Sequence, residues 1–202
     1  ATANKYINAI TLTDGTNGGL ASNYALPTLN NANAPVTINA KTVALSATKT
    51  YDASTSLMGA VTISGLVSTE TLNYSGSAAS DANVATANKY INAITLTDGT
   101  NGGLASNYAL PTLNSANAPV TINAKTVALS ASKTYDASTS LTGAVTVSGL
   151  IGTETLNYAG STASDANVAT ANKYINAITL TDGSNGGLAS NYALPTLNNA
   201  NA

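Results

Sequence analysis

The stretch KTYDAST stands at residues 49–55 and again at 133–139, placing Lys49, Tyr51 and Asp52, then Lys133, Tyr135 and Asp136, in a chain with few other charges. Around it lie the residue types of three chemistries. Asp52 and Glu70 are the types of a glycosidase's acid and nucleophile. Ser46 and Lys49 are the types of a serine nucleophile with a lysine base. Lys41 or Lys49, an Asn or Asp acyl group and Glu70 as proton shuttle are the types of an intramolecular isopeptide bond. The chain has no His, Cys, Arg, Phe or Trp. It therefore lacks the commonest general base, the strongest nucleophile and the usual oxyanion clamp, and with four tyrosines to a module it has little from which to build the aromatic walls of a sugar cleft. The expectation is no enzyme, no catalytic, cofactor-binding or metal-binding residue, and no cofactor.

Two further motifs read as ordinary structure. DGTNGG at 14–19, repeated at 98–103 and as DGSNGG at 182–187, begins like a calcium loop. An EF-hand needs oxygen ligands at its third and fifth positions and a bidentate Glu at its twelfth, where this chain has Thr16, Gly18 and Ala25. Asp-Gly and Asn-Gly instead favour the positive φ of a tight β-turn. The glycosylation pattern NYS at 73–75 becomes NYA at 157–159, which breaks it.

What must position these residues is a repeat. ATANKYINAITLTDG begins at residues 1, 85 and 169, a period of 84. Residues 1–84 and 85–168 differ at eight positions, among them Met58/Thr142 and Ser68/Gly152, and residues 169–202 differ from 1–34 only at Thr16/Ser184. The patterning inside each copy is that of strands: 4–13, 23–26, 35–39, 42–45, 60–64 and 71–75 alternate or are rich in β-branched residues, between Gly, Pro, Asn and Ser. Residues 80–88 have a helix cap but too much Asn for more than a turn. With Tyr the only aromatic type, Tyr24, Tyr51, Tyr74 and Tyr135 are expected in the core, Asp52 and Asp136 as turn formers, and Lys49 and Lys133 as solubilising charges at strand ends.

The predicted fold class is all-β: small β-sandwich-like modules, Ig-like or β-grasp-like, of 84 residues joined end to end. The apolar parity shifts between PVTIN (35–39) and KTVALS (41–46) with no Gly/Ser linker, which places boundaries near 40/41 and 124/125. Residues 1–40 then form the C-terminal part of one module, 41–124 a complete module, and 125–202 a second lacking its closing strand. Charged residues are 8% of the chain and the net charge is −2, so no field draws in nucleic acid or an anionic membrane. The longest uncharged stretch, 15–40, is too rich in Asn, Gly and Pro for membrane insertion. Ala1 opens no signal-peptide pattern, so the chain reads as an internal piece of something longer.

KTYDAST, VSGLIGTETLNYAG, SDANVATANKYINAITLTDG and SNYALPTLNNANAPVTI, in that order, resemble the tandem YDG-type repeats, related to MBG repeats, of large bacterial extracellular adhesin-like proteins. The resemblance covers the whole chain. One departure is that the motif's glycine is Ala53 and Ala137 here. The resemblance implies an extracellular or cell-surface, β-rich, non-enzymatic repeat. The expected function is a structural spacer in the stalk of an adhesin or biofilm-matrix protein, projecting a distal binding region. The alternatives are a self-assembling filament subunit using β-strand addition, and a glycan- or calcium-binding adhesive module. Expected partners are neighbouring modules of the same chain and other copies through strand edges.

Overall fold

β-branched and small polar residues alternate through much of the chain, and in the computed structural model, which describes residues 4–202, they form an all-β fold. Its helical content among the described residues is three short 3-10 turns, Ala21–Asn23, Ala105–Asn107 and Ala189–Asn191. No helix there is long and apolar enough to cross a membrane.

The first seven strands are β1 (Lys41–Thr42), β2 (Ala44–Thr50), β3 (Val61–Ser64), β4 (Leu72–Ala79), β5 (Ile91–Asp98), β6 (Tyr108–Ala109) and β7 (Val120–Asn123). β2 is the central one. β3 runs antiparallel on one side, with Leu45 opposite Ile63, and β7 parallel on the other, with Ala47 opposite Val120 and Lys49 opposite Ile122. A parallel pair needs a long crossover, and here it carries the antiparallel pair β4–β5 and the parallel contact β1–β6. Period-two burial decides which face points inward: Leu45 and Ala47 are buried while Ala44, Ser46 and Thr48 face solvent. They meet Leu57, Leu72, Ile91, Ile94, Val120 and Ile122 in the core. Each buried large aliphatic side chain contributes about 1.5–3 kcal/mol.

The pairing recurs along β8 (Lys125–Thr126), β9 (Ala128–Ala131), β10 (Val145–Ser148), β11 (Leu156–Ala163), β12 (Ile175–Asp182) and β13 (Tyr192–Ala193). β11 opposes β12 with Leu156 facing Asp182, as Leu72 faces Asp98, and both pairs slip register at the same place. Gly76 and Gly160, both at φ +60°, sit at those bulges. One residue, Ala124, separates β7 from β8. β9 pairs with β10 alone, so the edge that β7 covers on β2 is uncovered on β9 among the described residues.

Three expected strands do not form. Residues 4–13, 23–26 and 35–39 make only an isolated bridge between Tyr6 and Pro35. The near-identical stretches 88–97 and 119–123 do supply strands, because β4 and β2 stand beside them. Pairing, rather than local propensity, decides the outcome. Residues 80–88 are bends and turns, in line with the expectation.

Candidate functional site

The KTYDAST loop is held by its lysine. Lys49 Nζ donates to Ser54 O at 3.0 Å and Ser56 O at 2.9 Å, and stands 2.6 Å from Asp52 Oδ1. The expected solubilising charge is instead a clamp: its side chain is largely buried, with three acceptors around one ammonium. Lys133 repeats the arrangement with Ser138, Ser140 and Asp136. Asp52 Oδ1 also accepts the Ser54 N–H at 3.0 Å, which is the turn-forming role expected of it, and Asp136 does the same with Ser138. The Lys133 ammonium and the Ser138 N–H hold the Asp136 carboxyl below the usual range. Between them Ala53 and Ala137 both adopt φ +60°, the left-handed conformation in which an L-residue is strained by roughly 1–2 kcal/mol. The clamp holds the chain there without a glycine.

The clamped loop delivers Tyr51 to residues more than a hundred positions further along the chain. Its hydroxyl donates to Glu154 Oε1 at 2.8 Å, while Tyr192 Oη donates to Glu154 Oε2 at 2.5 Å. The two rings meet edge to face with centroids 5.5 Å apart. Tyr192 Oη also accepts the Ile151 N–H at 3.0 Å, which fixes the turn after β10 that carries Glu154. Burial, followed by the Glu154 hydrogen bond, raises both tyrosines, Tyr192 to about 12.

A second contact completes the junction. Asp81 Oδ1 accepts the Asn83 N–H and the Thr86 hydroxyl, and Lys89 Nζ, itself buried, donates to Val84 O and Thr86 O. This clipped loop presents Asn83 and Val84 to Asn191, which the 3-10 turn before β13 supplies. Asn191 is 0% exposed; its Oδ1 accepts the Val84 N–H at 2.8 Å and its Nδ2 donates to Asn83 Oδ1 at 2.9 Å.

The candidate carboxylate pair comes apart. Asp52 pairs with Lys49, whereas Glu70 accepts the hydroxyl of Tyr108 at 2.5 Å. The DGTNGG loop packs on Thr71: Thr100 N–H donates to Thr71 Oγ1, Asn101 Nδ2 to Thr69 O, and a Cβ at Gly103 would stand 1.8 Å from Thr71 O. Asp98 Oδ1 is taken by the Ala105 N–H at 2.7 Å, and no three acidic, His or Cys side chains converge among the described residues. Tyr51 is 4% exposed and Tyr74 half-buried, as expected of core residues, but Tyr135 is 57% and Tyr24 70% exposed. Their counterparts Tyr51, Tyr108 and Tyr192 are covered by neighbours that these two lack. Glu154, Asn83 and Asn191 were not singled out from sequence; the available signal was that Glu70 and Glu154 are the only glutamates in the chain.

Compared with known proteins, the chain matches no family model, and neither a curated protein nor a solved structure is significantly similar to it.

Asn191→Ala strips the buried Val84 N–H and Asn83 carbonyl of their partner and should lower stability by about 1–3 kcal/mol in urea titration. Asn107→Ala, 84 residues earlier and exposed, should change it by less than about 0.5 kcal/mol. Alkali tests the tyrosines. Their ionisation is raised in the folded chain, so the stability that they contribute is complete below pH 10 and lost as pH rises toward about 12. Circular dichroism against pH should show this loss in the native chain and a smaller one in Tyr192→Phe.

Proposed function

We propose that the chain is a structural spacer, a run of YDG-type, β-sandwich-like modules of 84 residues with boundaries near 40/41 and 124/125. It stands in the stalk of a bacterial cell-surface or secreted adhesin or a biofilm-matrix protein, where it projects a distal binding region. The role is mechanical and needs no catalytic residue or cofactor.

The observation that carries this reading is the junction. A spacer needs neighbouring units that keep a fixed angle, and a one-residue connection with a buried asparagine and a shared carboxylate supplies one. The near-identity of 1–84 and 85–168 adds a second support, since each added copy brings the same donor and acceptor surfaces. Flexible linkers would instead let the end-to-end distance grow only as the square root of length.

Arrays lengthened by whole 84-residue units test it by small-angle X-ray scattering. The maximum dimension should rise by a constant increment for each unit, and Glu154→Ala combined with Asn191→Ala should shorten and broaden the distribution. A dimension that does not grow with added units contradicts the spacer role.

A further inference from the structure

Tyr51 and Tyr192 are the one pair of aromatic rings in contact among the described residues, edge to face with centroids 5.5 Å apart. At that separation the nearest ring atoms are close to van der Waals contact. Their hydroxyls sit on the two oxygens of one carboxylate, at 2.8 Å and 2.5 Å from Glu154, so the ring carbons that flank the hydroxyls lie at the same end of the pair. Both rings are buried, Tyr51 at 4% and Tyr192 at 6% exposure, whereas Glu154 is half-buried and still reaches water. With no Cys and no Trp in the chain, tyrosine and the exposed Met58 are its oxidisable side chains.

We propose that Tyr51 and Tyr192 are an oxidative cross-linking site, coupled to each other as a dityrosine by a one-electron oxidant of the class that peroxidases form from hydrogen peroxide. Each ring gives one electron to the oxidant and its phenolic proton to Glu154, which passes the first proton to water before it takes the second. The unpaired electron of a phenoxyl radical spreads onto the ring carbons beside the oxygen, and these are the carbons that Glu154 brings together. A carbon–carbon bond forms between them. The hydrogen on each bonded carbon then moves to its own ring's oxygen, which restores both phenols. Two electrons and two protons leave in all, and they reduce one hydrogen peroxide to two waters. Ionisation of both rings is raised, that of Tyr192 to about 12, so at neutral pH each is a phenol that loses its electron readily only where a base takes the proton. Glu154 lies within reach of both. Burial keeps water and other chains from the radicals, which leaves the neighbouring ring as the reactant. The product ties residue 51 to residue 192 covalently in a chain that has no cysteine for a disulfide, and it closes a long loop of the unfolded chain. Tyr108 is an internal control, since it is buried and bonded to Glu70 in the same way but has no ring against it.

The test is oxidation of the dilute native chain by photogenerated tris(bipyridine)ruthenium(III) with persulfate, followed by cleavage at the lysines and mass spectrometry. Peptides 50–89 and 174–202 should appear joined, lighter than their sum by two hydrogens, with the bond located at Tyr51 and Tyr192. This joint should be several-fold more abundant than in the same chain oxidised in urea, and Tyr108 should stay uncoupled. Glu154→Gln leaves one hydroxyl an oxygen to bond but takes up no proton, and should lower the yield several-fold while the near-ultraviolet circular dichroism of the tyrosines is kept. A native chain whose joints match those formed in urea, or fall mainly on the exposed Tyr24 and Tyr135, overturns the inference. So does an undiminished yield in Glu154→Gln, because the carboxylate then takes no proton in the coupling.

Discussion

A carboxylate held between two tyrosine hydroxyls joins residues 41–124 to 125–202, in a chain with no Phe, Trp, Cys or Arg to join them otherwise. Small aliphatic side chains and a few tyrosines fill one continuous core that runs through both stretches. Hydrogen bonds add to what the core supplies, those to the Glu154 carboxylate charge-assisted. A net worth of about 1–3 kcal/mol for each is modest, yet leaving a buried partner unsatisfied costs more, so the arrangement tolerates little displacement. Asn191 makes the same point without a charge, since both ends of its amide are used and no water reaches it.

The loops around the junction are shaped by that requirement. Lys49 gathers the carbonyls of Ser54 and Ser56 and the carboxylate of Asp52, and so keeps Ala53 in a left-handed conformation that alanine does not favour. The strain and the clamp together aim Tyr51 across the boundary. Lys89 performs the equivalent task for Asn83 and Val84. The copies of these residues elsewhere act as internal comparisons. Lys133 clamps its loop in the same way and Ala137 has the same φ, yet Tyr135 is exposed and Val168 protrudes. The loops therefore keep their shape without a neighbour, which makes the junction surface preorganised.

Much of the strand layout was legible in the sequence because period-two patterning and turn residues act locally. β3 and the bend at 80–88 lie where that patterning places them, whereas β2 and β4 overlap the expected 42–45 and 71–75 but run on to Thr50 and Ala79. Residues 4–13 and 35–39 carry the same pattern and remain unpaired, since a strand needs a partner and alternation does not say whether one is present. Lys49 was misread for a related reason: its type marks it as a surface residue, while its burial depends on carbonyls brought round by the turn. The roles of Glu154 and Asn191 depend on residues more than a hundred positions away. Glu70 and Asn107 have nearly the same local sequence and no hydrogen-bond partner at that distance among the described residues, so local sequence does little to separate them.

A fixed angle between residues 41–124 and 125–202 is the central claim, and the absence of cysteine allows a clean measurement of it. Spin labels attached through Thr62→Cys on β3 and Thr146→Cys on β10, both exposed, report the distance between the two by double electron–electron resonance. The account predicts one narrow distance distribution that broadens when Asn191 is replaced by Ala. A distribution already broad in the otherwise native chain would contradict it.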